Sequence, residues 1–195
     1  MVIGMTMKSS LLGAVVASAL ALPASATPVQ FGGNFYEYVS ALDISWSAAR
    51  ASAAGMSFMA VGGHLATVTS AAENAFLDSI SPDFGSFAGA WLGGDATKWL
   101  VGPEAGQSYT YTNWGGIEPN NSPSNVYMNI GPLFAGISHA RWADAGGGVS
   151  DSGDPIKGYF VEYETNLVTE PASLALIGAA LAGLGVVRRR SSARS

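Results

Sequence analysis

The sequence contains no cysteine. Disulfide staples, thiol nucleophiles and cysteine-ligated zinc are thereby excluded, and the fold has to hold by packing alone. Charge is scarce too, with only 12% of residues charged. Basic residues are scarcest in the interior. Lys8, Arg188, Arg189, Arg190 and Arg194 belong to the ends, which leaves Arg50, Lys98, Arg141 and Lys157 against fourteen acids lying between Glu37 and Glu170. Such a balance excludes nucleic acid as a partner, because phosphate binding draws on a basic surface. It suits cation binding or plain solubility. Histidine is limited to His64 and His139, and no H-E-x-x-H, nucleophile elbow, P-loop or dinucleotide-binding glycine pattern occurs. The chain is read as a binding or structural protein, not an enzyme.

No apolar run is long enough for a comfortable bilayer crossing, but both ends carry one. Lys8 precedes the mostly apolar Leu11 to Leu22, Pro23 breaks that run, and Ala24-Ser25-Ala26 forms an A-x-A site. Residues 1–26 therefore read as a secretory signal cut after Ala26. At the other end, Glu170-Pro171 precedes sixteen uncharged residues, Ala172 to Val187, and then Arg188-Arg189-Arg190. As a helix this stretch spans about 24 Å, somewhat less than a bilayer core. The arginines hold that end on the cytoplasmic side by the positive-inside rule, so the domain lies outside with its C-terminus tethered.

The C-terminal order of a Glu-Pro signature, a Gly/Ala/Leu helix and an arginine cluster resembles the PEP-CTERM sorting signal, with Thr169-Glu170-Pro171 where Pro-Glu-Pro is usual. That resemblance implies a Gram-negative host, an exosortase as processing enzyme, transient anchoring in the inner membrane by residues 166–195, and delivery to the outer envelope or extracellular matrix.

Between the ends, residues 27–165 are long enough for one domain with a single core. Phe35 to Val39 alternates around aromatics and predicts a strand. Ile44 to Met59 places Trp46, Ala49, Ala53 and Met56 at helical spacing, with Gly62-Gly63 expected to end the stretch. His64 to Val68 predicts a short strand. Ser70 and Glu73 form an S-x-x-E capping box opening a helix to about Ile80. Ala90 to Gly93 predicts a buried strand, followed by short β segments at 109–114, 126–130, 140–144 and 158–164 among Gly/Pro/Asn/Ser loops. This is an α+β layout of two helices and small antiparallel sheets. All five tryptophans lie from Trp46 to Trp142, which predicts a core anchored on large aromatics.

Five short segments, in order, resemble C-type lectin-like domains. These are His64-Leu65-Ala66-Thr67-Val68 with Ser70 and Glu73-Asn74-Ala75-Phe76; Trp91-Leu92-Gly93; Asn113-Trp114 with Glu118-Pro119-Asn120-Asn121; Trp142-Ala143-Asp144; and Gly158 to Glu162. The resemblance implies that Ala53 and Val161 occupy one pair of half-cystine positions and Tyr127 one position of another, with apolar packing in place of the staples. It also implies a calcium and sugar site in the long loop. Glu118, Asn120, Asn125 and Asp144 are the matching metal and sugar ligands, with Pro119 cis, and an E-P-N triplet resembles the mannose/glucose type. Calcium needs six to eight oxygens, several anionic. Here Asn125 stands where Glu is usual, Ala143 offers no side-chain oxygen, and Asp151 and Asp154 lie in a nearby loop. Trp114 and Trp142 read either as core or as sugar-stacking aromatics.

Two functions stand at this point. One is a calcium-assisted module binding extracellular or envelope polysaccharide. The other is a structural or protein-binding surface module that keeps the fold and has a vestigial ion site. Processing is checked directly. In a host with the sorting enzyme, intact-mass measurement is expected to give a mature chain beginning at Thr27 and lacking the segment after about Pro171. A retained tail would overturn the sorting half of this expectation.

Overall fold

The computed structural model describes residues 27–120, 124–133, 136–145 and 156–165. The expected signal and the apolar C-terminal segment lie outside these residues, as do Asp151 and Asp154. No helix among the described residues is long and apolar enough to cross a membrane.

The elements run β1 (Val29–Phe31), β2 (Asn34–Ser40), α1 (Trp46–Ala54), β3 (Ser57–Phe58), β4 (Val61–Leu65), α2 (Ala71–Ile80), β5 (Gly89–Asp95), β6 (Asn125–Asn129), β7 (Trp142–Ala145) and β8 (Ile156–Tyr163). The sheet order is β1-β2-β8-β5-β6-β7, with β4 also on β8 and β3 on β4. Its pairs are antiparallel except β5 with β8. That parallel pairing ends at Trp91 opposite Tyr159. Beyond this point β8 continues against β4 and β2, while β5 continues against β6.

Both faces of the central strands are buried, so their sequences read as nearly continuous apolar runs. Alternation still sorts the side chains. Trp91, Tyr127, Ala143, Tyr159 and Val161 join Trp46, Ala49 and Ala53 of α1 in one cluster. Ala90, Leu92, Val126, Met128, Trp142 and Phe160 join Leu77 of α2 in the other. Gly93 is required by proximity, because a Cβ there would come 2.7 Å from the Leu65 carbonyl oxygen. The implied half-cystine positions are apolar and close to each other. Ala53 and Val161 are fully buried, and both border Gly63.

Ser45 caps α1, its Oγ accepting the Ala48 N–H at 3.3 Å. Gly55 ends this helix earlier than the sequence predicts, so Gly62 and Gly63 are not its terminator but part of β4. Met59 and Ala60, both at positive φ, turn the chain between β3 and β4. The capping box at α2 is present with one change. Ser70 Oγ accepts the Glu73 N–H at 3.1 Å, while Glu73 Oε2 accepts the Thr69 N–H at 2.7 Å. The expected strand at 109–114 is replaced by a loop held by single bridges, Lys98 to Ser108 and Trp114 to Trp142. What fixes that loop is an aromatic hub. Trp142, fully buried, has Trp99, Tyr109, Tyr111 and Trp114 packed edge-on within 5.9 Å of its ring centre, and its Nε1 donates to Asn74 Oδ1 at 2.7 Å. Trp142 is therefore core, with Trp114 half-buried against it.

Trp91 anchors the opposite face. It is fully buried, its ring stands edge-on to Tyr127, and its Nε1 donates to the Ile44 carbonyl at 2.8 Å. Trp91→Ala is expected to cost about 3–5 kcal/mol as a large core truncation. Urea melts showing a loss below about 1 kcal/mol would contradict that packing.

Candidate functional site

The long loop returns to the sheet beside β6 and β7, and this return brings together Glu118, Asn120 and Asp144 of the four residues expected to bind calcium or sugar, with Asn125 at the start of β6. The Glu118–Pro119 bond is cis. Asn120 Nδ2 donates to Glu118 Oε1 at 2.8 Å, so the two side chains lie together on an exposed turn. Asn125 begins β6 opposite Ala145, and its Nδ2 lies 3.4 Å from the Gly94 carbonyl. Asn125 and Ser124 line a cleft of about 220 Å³ together with Asp95 and Leu100.

Asp144 differs from the other three. It lies on β7 opposite Val126 and is 0% exposed. Its Oδ1 accepts the backbone N–H of Asn120 at 2.8 Å, and its Oδ2 accepts the Ser124 hydroxyl in a short hydrogen bond. Both oxygens thus serve the loop itself. A buried carboxylate needs such donors, and here protein groups supply them. The donors sit just before and just after residues 121–123, so one side chain ties both ends of that segment to β7.

A full calcium shell does not fit this arrangement. Asp144 would have to release loop donors to face an ion, and Asn120 turns its amide nitrogen, not its oxygen, toward Glu118. Ala143 cannot add a ligand by a simple change either, since it is fully buried in the apolar cluster containing Tyr127 and Ala145, on the face opposite Asp144.

A second group of acids, not singled out by the sequence, lies on the α2 face. Glu162 of β8 is 2% exposed. Its Oε1 accepts from Asn34 Nδ2 and the Tyr36 hydroxyl, both at 2.8 Å, and its Oε2 from the Thr67 N–H at 3.1 Å. The Tyr36 hydroxyl also reaches Glu73 Oε1 at 2.7 Å, and the Thr67 hydroxyl reaches Glu104 Oε2 at 2.9 Å. Burial first, and the Glu73 charge second, push the Glu162 carboxyl up to about 8. Glu164 rises to about 7, from burial and then the charges of Glu104 and Glu73. The one signal for this group in the sequence is the E-x-E alternation of Glu162 and Glu164, which puts two carboxylates on one strand face.

Residues 167–190 match the PEP-CTERM protein-sorting motif, a span that includes Glu170, Pro171 and Arg188–Arg190. The motif implies export and envelope association in bacteria. Halomucin of Haloquadratum walsbyi is 32% identical over 149 residues, which cover 67% of this chain and 1% of that protein. The C-type carbohydrate-recognition domain of cow CD23, solved in the presence of a GlcNAc2Man3 oligosaccharide, superposes with a TM-score of 0.51 at 20% identity, covering 71% of this chain and 94% of that one. The Ca2+-independent C-type lectin SPL-2 from Saxidomus purpuratus superposes at 0.54 and 16% identity, covering 71% and 92%. The fold is C-type lectin-like.

Ala143→Asn would place an amide among apolar side chains. It is expected to lower stability by about 1–3 kcal/mol, the cost of a buried polar group without a partner. Denaturant melts with and without calcium read this directly. A neutral variant, or one stabilised only when calcium is present, would show that residue 143 faces an ion.

Proposed function

We propose that this chain is an exported, envelope-associated lectin-like binding module whose loop is held by its own hydrogen bonds and works without calcium. The observation supporting this reading is Asp144. Its two oxygens already accept from Asn120 and Ser124, which does for the loop what an ion would otherwise do. SPL-2, with the same fold, is a Ca2+-independent lectin by description, so the fold is compatible with ion-free recognition.

The polar groups of the loop, exposed at Asn120 and half-buried at Glu118 and Asn125, define the ligand class. Glu118, Asn120 and Asn125 offer carboxylate and amide groups, and beside them Ile117 is 85% exposed. Neutral hydroxyl-rich chains suit this set, since carboxylates and amides exchange hydrogen bonds with hydroxyls and an apolar side chain can lie against a sugar face. An extracellular or envelope polysaccharide is the proposed partner. Calcium-assisted binding of a mannose- or glucose-type sugar is the second reading; it keeps the E-P-N triplet but requires Asn120 to exchange its amide nitrogen for its oxygen beside Glu118.

Thermal melts and polysaccharide pull-down of the full chain, each in millimolar Ca2+ and in chelator, separate the two. The expected result is one melting temperature and equal polysaccharide retention in both conditions. A rise in calcium, with retention lost in chelator, would establish the second reading, because an ion that binds only the folded state stabilises it by mass action. No retention in either condition, with an unchanged melt, would leave the protein-binding surface module.

A further inference from the structure

We propose that His64, Glu164 and Glu162 form a site for a divalent cation of the zinc class, separate from the Glu118–Asn120 turn. The site comes from strand register. His64 on β4 stands directly opposite Glu162 on β8, and Glu164 follows two residues later. Opposed residues and their i+2 neighbours share a face, so one imidazole and two carboxylates converge. Their ligating atoms all lie within 4.8 Å of one another.

The histidine is oriented for ligation. Its Nδ1 lies 2.9 Å from the Leu65 carbonyl, which only accepts, so Nδ1 carries the ring proton and Nε2 carries the lone pair. Such a second-sphere bond to Nδ1 is the usual way a ligating imidazole is fixed. Gly102 backs the ring closely; a Cβ at that position would come 2.8 Å from His64 Cε1. Burial lowers the His64 pKa, which favours the neutral, ligating form. Nε2 is buried and has no hydrogen-bond partner among the described residues. It faces Glu164 Oε1 at 3.9 Å, too far for a hydrogen bond. Two ligands of one tetrahedral zinc ion at about 2.0–2.1 Å stand roughly 3.4 Å apart, so closing the His64–Glu164 pair takes a shift of about half an ångström.

Glu162 can contribute without losing its structural bonds. The Thr67 hydroxyl has one proton for two carboxylates, Glu104 at 2.9 Å and Glu162 at 3.2 Å. Donating it wholly to Glu104 frees a lone pair on Glu162 Oε2 while the Thr67 N–H bond stays. The cluster is also short of positive charge. Around His64 stand Glu162 and Glu164 of the β8 end, Glu104 of the long loop and Glu73 of α2, with no lysine or arginine hydrogen-bonded to any of them among the described residues. A cation supplies the positive charge that this cluster lacks, and because imidazole and carboxylate ligate only when deprotonated, affinity rises with pH. The nitrogen ligand and the small ligand count favour zinc over calcium.

Calorimetric titration of the full chain with Zn2+, at pH 8 and pH 6, tests the site, with Ca2+ and Mg2+ as controls. His139, exposed and paired with Asp78 at 2.7 Å, is the competing surface site, so His139→Gln is titrated in parallel. The expected result is one zinc per chain with proton release, tighter binding at pH 8, and no response to Ca2+ or Mg2+. His64→Gln and Glu164→Gln should each weaken binding at least about tenfold, while His139→Gln leaves it unchanged. Cobalt(II) gives a readout independent of affinity, since a tetrahedral site with a nitrogen ligand produces intense visible absorption that His64→Gln should abolish. Absence of zinc binding, or binding lost in His139→Gln and kept in His64→Gln, would overturn the proposal. Far-UV dichroism in chelator shows whether each variant is folded. If His64→Gln proves unfolded, Glu164→Gln at the solvent-facing end decides.

Discussion

Glu162 is the residue on which the sheet depends. It is a carboxylate almost wholly out of water, placed where three parts of the chain meet. It holds Asn34 and Tyr36 of β2, the Thr67 backbone beyond β4, and through the shared Tyr36 hydroxyl the first turn of α2. Burying such a group is tolerable only if its oxygens are hydrogen-bonded. Two of these bonds are placed by strand register and one by the strand-like run after β4, so pairing and carboxylate are mutually supporting. The Tyr36 hydroxyl brings one proton to two acids. The Glu73 charge held beside it pushes Glu162 further toward its neutral form than burial alone does, while the Tyr36 and Thr67 donors pull the other way. The network takes over a stapling task in a chain that has no disulfide to perform it.

Asp144 repeats this solution at the other side of the sheet. There too a buried acid is satisfied by backbone and hydroxyl donors from a segment that would otherwise lack regular structure. Ordering a loop costs conformational entropy, and something must hold its ends. An ion shell is one way, and a charge-assisted pair of hydrogen bonds is another. Asp144 uses the second. The Trp142 hub two residues earlier on the same strand face then fixes where β7 meets the loop.

Much of this was legible in the residues. Ser70 and Glu73 marked the start of α2 because a capping box is a local device whose geometry follows from spacing alone. The strands around Trp91 and Trp142 were readable as short β segments, and the Glu118-Pro119 turn through the resemblance to C-type lectin-like domains. The β3–β4 hairpin was not legible, since Met59 and Ala60 turn the chain at positive φ although neither residue type advertises it. The loop at 109–114 resembled a strand because its aromatics alternate, but they alternate to reach Trp142 and not a neighbouring strand. Asn120 hydrogen-bonds both Glu118 and Asp144, while Asn125 lies apart beside Gly94, and what these residues do was not readable. Ser124, the donor that occupies Asp144, is an ordinary serine in sequence. The convergence of His64 with Glu164 exists only through pairing between residues about a hundred positions apart.

The division of the sheet beyond Trp91 separates two tasks. On one branch β8 runs against β2 and β4 and ends at Tyr163, and just beyond it the Thr165 hydroxyl bonds the Gly33 carbonyl in the β1–β2 turn. Two residues later the sorting motif begins, so the pull of any tether enters through this branch. It is the branch that Glu162 knits together. On the other branch β5, β6 and β7 carry the long loop, and β7 stands three strands from β8, about 14 Å at ordinary strand spacing. Force or processing at the C-terminal exit therefore acts on a part of the sheet that does not hold the loop in shape. The loop in turn has a brace of its own in Asp144, on a strand that does not border the C-terminal exit.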